Sequence, residues 1–422
     1  MNNYYTQQTN FYGNTTPHEL VMEFGSPLYV YNEAILRQRC KEMVNFIKYP
    51  NYKVHYSTKA NANLELLRII HQEGLHADAM SPGEIYVLLA AGFKPDEIFF
   101  VCNNVSEEEM KYAIDLGIIV SVDSLSQLRT LGKIDYGGNA AVRFNPGVGA
   151  GHHEKVITGG KNTKFGINTD KIDEVKAILK EYSLNLVGIN QHIGSLFMEG
   201  ESYIEGVKSI LTTAEQFTGL KFIDLGGGFG IPYRKQEGQE RLELELFGEK
   251  ISSLLSNWAN QNNPNILFKI EPGRYVIAEC GILLGSVYAQ KENSETHYVG
   301  TDLGFNTLVR PVMYDSHHDV EVYKKHSVQL ADEQEVVTIV GNICESGDII
   351  AKDRLLPLVS EGDVLGIVDA GAYGYSMSSN YNNRLRPAEV LIKTDGTLVL
   401  TRQRDTLDDL IRNFCSEYLL NR

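Results

Sequence analysis

Between residues 50 and 280 the sequence alternates short β-rich runs with helical patterns, and it does so about eight times. The candidate strands cover 53–57, 76–79, 98–102, 118–122, 140–144, 186–192, 221–225 and 267–271. Between them, stretches such as 63–73, 82–91, 106–116 and 203–217 repeat apolar residues every three or four positions, and several open on Asn, Ser or Pro. Eight strand-then-helix units in one block exceed what an open doubly wound sheet usually holds, and they predict an α/β fold of the (β/α)8 TIM-barrel type. After Gly281 the texture changes to β-rich segments between turns, at 282–289, 296–301, 336–340, 364–369, 388–393 and 397–402. These predict a second, C-terminal all-β domain, a Greek-key barrel or sandwich. The isolated run 27–31 has strand character and is expected to join it. The expected organisation is an N-terminal segment over 1–35 that pairs with the β domain, a barrel over 36–280 and the β domain over 281–422.

A net charge of −15 and a pI near 5.3 argue against a nucleic-acid or anionic-membrane partner, both of which need a positive field. The five cysteines, Cys40, Cys102, Cys280, Cys344 and Cys415, are odd in number and never form a CxxC pair. Neither a disulfide framework nor a zinc ribbon is indicated, and a reducing compartment fits. The start, Met1-Asn-Asn-Tyr-Tyr-Thr-Gln-Gln8, has no basic or apolar leader character, and no run approaches the roughly 18 apolar residues of a membrane span. The expectation is a soluble, cytoplasmic enzyme with a small-molecule substrate.

In a barrel the active site gathers at the carboxyl ends of the strands. Lys59 follows the first strand, Arg143 ends the fifth, and His192 with Gly194 and Ser195 ends the sixth. Asp224-Leu-Gly-Gly-Gly-Phe-Gly230 ends the seventh and Glu271-Pro272-Gly273-Arg274 the eighth. Lys59 is either a surface lysine or an amine that, in a partly apolar pocket, forms a Schiff base with a carbonyl cofactor. Gly226, Gly227, Gly228 and Gly230 form either a tight turn or a loop whose bare amides cradle phosphate, and Ser195 and Arg274 nearby favour the cradle. His192 is a core histidine, a metal ligand or a flat ring against a cofactor; with no ligand at suitable spacing, metal is disfavoured. The pairs His152-His153 and His317-His318 read as structural or exposed. A lysine, a phosphate cradle, a flat ring and a strand-end carboxylate together describe pyridoxal 5'-phosphate (PLP), with Glu271 keeping the ring nitrogen protonated unless it merely caps a helix.

These residues resemble the barrel-type, fold type III PLP-dependent decarboxylases, and most of all the diaminopimelate decarboxylase family. The resemblance runs nearly end to end, through Tyr56-Ser-Thr-Lys-Ala-Asn61, His192-Ile-Gly-Ser195, Asp224-Leu-Gly-Gly-Gly228 and Glu271-Pro-Gly-Arg274. Farther on it adds Arg310-Pro-Val-Met-Tyr314, Cys344-Glu-Ser-Gly-Asp348, Asp369-Ala-Gly-Ala-Tyr-Gly374 and Ser376-Met-Ser-Ser-Asn-Tyr381. It implies that Lys59 carries PLP, that His192 packs on the ring and that Glu271 holds the pyridinium. It also implies that Ser195, the Gly226 to Gly230 loop, Arg274 and Tyr373 surround the phosphate, that Arg143, Pro272 and Gly273 belong to the cofactor site, and that Tyr373 also meets the substrate. The implied reaction is decarboxylation of meso-2,6-diaminopimelate at its D centre to L-lysine, with Cys344 returning a proton to the α-carbon. Arg274, Arg310, Tyr314 and Glu345 would hold the unreacting L end, and Cys344 and Glu345 would come from the neighbouring subunit of a homodimer.

The chain departs from the family's usual pattern at Asn190-Gln191, Asn342 and Phe305, which leaves room for a different substrate. The rival readings are a same-fold decarboxylase of D-ornithine, D-lysine, L-ornithine or L-arginine, which has no need of Arg310, and a non-catalytic PLP-binding regulator, which has no use for Lys59, Glu271 and Cys344 together.

Overall fold

The computed structural model describes residues 4–147, 150–151, 160, 163–325 and 333–414. The chain divides into two units: Leu36–Pro232 with Glu240–Ile277, and Met1–Ile35 with Tyr233–Gln239 and Ala278–Arg422.

The first unit is a closed barrel of eight parallel strands: Tyr52–Ser57, His76–Ala79, Ile98–Val101, Ile119–Val122, Asn139–Asn145, Asn185–Asn190, Phe222–Asp224 and Leu267–Ile270. Each pairs in parallel with the next, and the eighth returns to the first through Phe268 to Ile270 against Tyr52 to Val54. The chain leaves the barrel mouth by short turns that end in capped helices. Asn63 accepts from the amides of Glu65 and Leu66, Ser81 from Glu84 and Ser124 from Gln127, while Ser106 and Glu109 form a reciprocal capping box. Each cap satisfies an otherwise orphaned helix amide, worth about 1 kcal/mol.

Side chains alternate along a strand, so one face of each strand fills the barrel. Phe99, Val101, Ala141, Val187 and Phe222 form a buried cluster there, with Met80, Ile119 and Leu267 packed against it. Two residues farther along the same faces the chemistry changes: Arg143 follows Ala141, Asp224 follows Phe222, and Lys269 and then Glu271 follow Leu267. The apolar cluster holds the strands together, and their next inward positions are charged and buried.

The second unit is a mixed β-sheet. Its order runs from Ile349–Pro357 through Gln334–Val340, Thr296–Thr301, Gly281–Asn293, Leu28–Asn32 and Ala388–Ile392 to Leu398–Arg402; Val364–Ile367 pairs with Gly281–Asn293 and with Val320–Tyr323. Leu28–Asn32 lies antiparallel to Gly281–Asn293 but parallel to Ala388–Ile392, and Thr296–Thr301 is parallel to Gln334–Val340. The expected second β domain is thus present as a mixed sheet, with parallel pairs at two places among antiparallel ones. Leu28–Asn32 arrives from a distant part of the chain, so no hairpin dictates its direction. Two strands are absent from the sequence reading. Val320–Tyr323 is only four residues long, and Ile349–Pro357 carries Lys352, Asp353 and Arg354 at its centre, which hides its β character. Among the described residues no helix is long and apolar enough to cross a membrane.

Candidate active site

Lys59 stands in the turn Thr58–Ala60 directly after the first barrel strand, with its side chain exposed. The turn is tied on both sides. Thr58 Oγ1 donates to the Asp78 carbonyl at 2.7 Å, Ser57 Oγ to Asp78 Oδ2 at 2.8 Å, and the Ser57 amide to the Pro272 carbonyl at 3.2 Å. After the seventh strand, Gly226 and Gly228 take φ values of +76° and +109°, a region that disfavours any side chain. Asp224 Oδ1 accepts the Gly226 amide at 2.9 Å, and the Gly227 amide donates to His192 Nδ1 at 3.1 Å. The Gly230 amide donates to the Phe197 carbonyl at 3.0 Å, so three of the four glycine amides that the sequence offered to an anion are engaged within the protein, where they orient the loop and the His192 ring. Arg274 Nη2 donates to Ser195 Oγ at 3.0 Å, which joins the ends of the sixth and eighth strands as one polar patch. Pro272 and Gly273 are buried between Glu271 and Arg274.

The electrostatics of this mouth are unusual for an interior. Asp78, Asp224 and Glu271 are all buried, and Asp78 Oδ1, Asp224 Oδ2 and Glu271 Oε1 have no hydrogen-bond partner. Burial pushes Asp78 up to about 6 and Asp224 up to about 7. It also raises Glu271 well above the usual carboxylate range; the charges of Asp224 and Asp78 add to that, while Lys59 and Arg143 oppose it. Arg143 is buried at the end of the fifth strand, within reach of Glu271, Asp123, Asp78 and Asp224, and its guanidinium carbon lies 4.7 Å from the Phe165 ring. Burial, with Lys59 and Arg143 beside it, holds His192 well below its ordinary value. Because Nδ1 accepts the Gly227 amide, the single proton of this neutral ring belongs on Nε2. Lys59 therefore faces charged groups rather than the partly apolar pocket that its strand suggested. Deeper in, burial brings Lys269 down to about 8, and its ammonium lies 3.9 Å from the Phe222 ring and 4.6 Å from that of Phe99.

The other sequence-derived site residues belong to the second unit. Arg310 is buried at the start of the helix Arg310–Tyr314, and Tyr314 is half-buried at its end. Cys344 and Glu345 are exposed on one turn; the Cys344 amide donates to Asn382 Oδ1 at 2.8 Å, and Tyr381 Oη donates to Glu345 Oε1 at 2.5 Å. Phe305 stacks on Tyr381 with ring centroids 5.6 Å apart. Tyr373 is half-buried and takes φ +56°. His318 is buried and His317 half-buried, so that pair is structural and not exposed. His152 and His153 lie outside the described residues.

The barrel residues fit PLP. A buried carboxyl whose negative charge is disfavoured and whose Oε1 has no partner is suited to a ring N–H carrying positive charge, because that cation removes the cost of ionising Glu271. Ser195 and Arg274 supply donors for a phosphate, and His192 presents a neutral flat ring. Among the described residues no group of three His, Cys, Asp or Glu side chains could hold a metal ion. Sequence reasoning overlooked Asp78 and Lys269, and gave Asp224 no role of its own. The signal was present, since an ionisable residue interrupts each of His76-Ala-Asp-Ala79, Phe222-Ile-Asp224 and Leu267-Phe-Lys-Ile270.

Comparison with known proteins agrees with this chemistry. A family model described as the pyridoxal-binding domain of pyridoxal-dependent decarboxylases matches residues 33–278. The chain is 42% identical over 403 residues to the diaminopimelate decarboxylase of Methanothermobacter thermautotrophicus, covering 93% of this chain and 92% of that one. It is 37% identical to the Archaeoglobus fulgidus enzyme of the same name, with 93% and 94% covered. Among solved structures, that of a diaminopimelate decarboxylase superposes with a TM-score of 0.88 at 31% identity, over 98% of this chain and 99% of that one. The Helicobacter pylori diaminopimelate decarboxylase complexed with L-lysine superposes with a TM-score of 0.85 at 30% identity, over 94% and 98%. By both fold and sequence, the chain belongs to the diaminopimelate decarboxylase family of pyridoxal-dependent decarboxylases.

Proposed function

We propose that this chain decarboxylates meso-2,6-diaminopimelate at its D centre, releasing CO2 and leaving L-lysine. The observation that carries the reading is Glu271: a buried acid at a barrel strand end with an unpartnered oxygen, in electrostatic reach of Lys59, in a chain 42% identical to a diaminopimelate decarboxylase. When bound, PLP supplies an electron-accepting ring that stabilises the charge left as the carboxylate departs.

The chain's own residues divide the remaining work. Lys59 would hold the cofactor covalently, Glu271 would keep its ring nitrogen protonated, and His192 would lie against the ring. Arg143 balances the acids around it. Ser195, Arg274, the Gly226 to Gly230 loop and Tyr373 would hold the phosphate. The α-carbon that loses CO2 must regain one proton, and we assign its delivery to the Cys344 thiol. Arg274, Arg310, Tyr314, Tyr373 and Glu345 grip the L end through its carboxylate and ammonium. Leaving a buried charge of that kind unpaired costs about 3–5 kcal/mol, so a substrate without the distal carboxylate is disfavoured by roughly a hundredfold or more.

A shared site in a homodimer belongs to the same proposal. Its support is that Cys344 and Glu345 are exposed on the chain, whereas a proton donor to a carbanion-like carbon works best away from water. Cys40, Cys102 and Cys344 are free thiols, in keeping with work in the reducing cytoplasm.

The test is CO2 release by the purified, PLP-loaded protein offered meso-diaminopimelate, D-lysine, D-ornithine, L-ornithine and L-arginine separately. Turnover confined to meso-diaminopimelate, with L-lysine as product, is the expected result. Preference for any of the others overturns the substrate, and a PLP-bound protein silent on all five overturns the enzymatic reading.

A further inference from the structure

Around Arg310 the second unit contains a small polar cradle whose other members, His318 and Ser316, have no role in the function proposed above. Arg310 is 1% exposed, and the groups beside its guanidinium include His318, Ser316 and the Tyr233 ring. Nη1 lies 2.8 Å from His318 Nε2, Nη2 donates to Ser316 Oγ at 3.3 Å, and the guanidinium carbon lies 4.7 Å from the Tyr233 ring. His318 is itself 1% exposed and edge-on to Tyr233, with ring centroids 5.1 Å apart. Its Nδ1 lies 2.8 Å from the Val368 carbonyl.

These contacts admit one protonation pattern. A carbonyl only accepts, so His318 Nδ1 carries the proton and donates to Val368. A guanidinium only donates, so His318 Nε2 is the bare acceptor for Arg310. The imidazole is therefore a neutral adaptor that transmits the position of the Val368 backbone to Arg310. An acceptor of this kind directs the fork of the guanidinium without cancelling its charge, which a carboxylate in the same place would do. Bidentate recognition of a carboxylate depends on the orientation of that planar fork more than on charge alone.

Resting on the proposal that Arg310 binds the distal end of the substrate, we propose that His318 is a positioning residue for that site, setting the guanidinium plane that receives the distal carboxylate. Its effect is confined to ligands that carry the carboxylate.

Two inhibitors separate this role from general damage, because L-lysine and 1,5-diaminopentane differ by one carboxylate. With the PLP-loaded enzyme turning over meso-diaminopimelate, His318→Leu should raise KM and the L-lysine inhibition constant by roughly tenfold or more, with kcat within about threefold and the 1,5-diaminopentane constant unchanged. His318→Gln, which can keep an acceptor near the position of Nε2, should recover most of that loss. If His318→Leu does not fold, Ser316→Ala examines the cradle from its other side, with a smaller, roughly threefold rise in the L-lysine constant alone. An unchanged L-lysine constant in the folded variants, or equal weakening of both inhibitors, overturns the role of His318. Wild-type protein that does not turn over meso-diaminopimelate overturns the underlying functional reading instead, a distinct result because it involves no change at His318.

Discussion

A Cβ placed on Gly227 would lie 1.9 Å from the carbonyl oxygen of Glu271, so the glycine loop after the seventh strand and the acid after the eighth touch backbone to backbone. The loop that flanks the expected phosphate position and the acid expected at the ring nitrogen are therefore one mechanical unit. Gly227→Ala cannot be absorbed by a side-chain rotation, because the obstacle is main chain. It should destabilise the protein by about 1–3 kcal/mol and weaken PLP binding at the same time. Thermal melts with and without the cofactor, together with equilibrium dialysis of PLP, check both effects; a variant that binds PLP like the wild type would contradict the coupling.

Glu271→Gln keeps the shape of the side chain but cannot become a carboxylate. The hydrogen bond it would lose involves charged partners, worth about 1.5–3 kcal/mol, so kcat should fall roughly 10- to 150-fold. The bound cofactor's absorption spectrum should also change its response to pH, because a neutral amide no longer favours the protonated ring nitrogen. Spectral titration of wild type and variant distinguishes this from a simple loss of cofactor.

Asp78 provides a pH prediction for the cofactor-free protein. Its folded value is raised to about 6 from an ordinary 3.8, so between those values the folded protein keeps a proton that the unfolded chain has released. The contribution of this group to stability is complete below about 3.8 and is lost as the pH rises through about 6. Asp78→Asn removes the charge that burial penalises. The variant should melt higher than wild type at pH 8, with the gain shrinking toward pH 4; equal melting differences at both ends would disprove the assignment.

Shared sites make a quantitative prediction for hybrids. Lys59→Ala and Cys344→Ala chains are each expected to be inactive alone. Unfolded, mixed in equal amounts and refolded with PLP, half of the dimers are hybrids, and each hybrid has one complete site out of two. About a quarter of wild-type activity should return. No recovery in a mixture shown to contain hybrids places Cys344 in the same chain's site.

The barrel strands were legible because the period-2 and period-3.6 patterns that mark them are local properties of the chain. The eight candidate runs coincide with the eight strands to within a few residues, and Lys59, Arg143, His192, Ser195 and Glu271 stand where the strand ends put them. Motif resemblance added residues such as Arg310, Tyr314 and Cys344, whose roles no periodicity could suggest. The seven-residue excursion Tyr233–Gln239 into the second unit carries no such local mark, although it delivers Tyr233 to Arg310.

What the linear order of residues could not convey is pairing between distant segments and the state of buried charge. Leu28–Asn32 pairs in parallel with Ala388–Ile392, a partnership across most of the chain that depends on the completed sheet. The raised values of Asp78, Asp224 and Glu271 arise because separate strands bring three acids into one desolvated region, and solvation is a property of the folded neighbourhood, not of the residue. His318 is the same lesson at one residue: in the sequence it is half of an adjacent histidine pair, and only the fold sets its two nitrogens between a carbonyl and a guanidinium. Local chemistry chose the strands, the helices and the reactive residue types; long-range contact and the exclusion of water chose their partners and their charges.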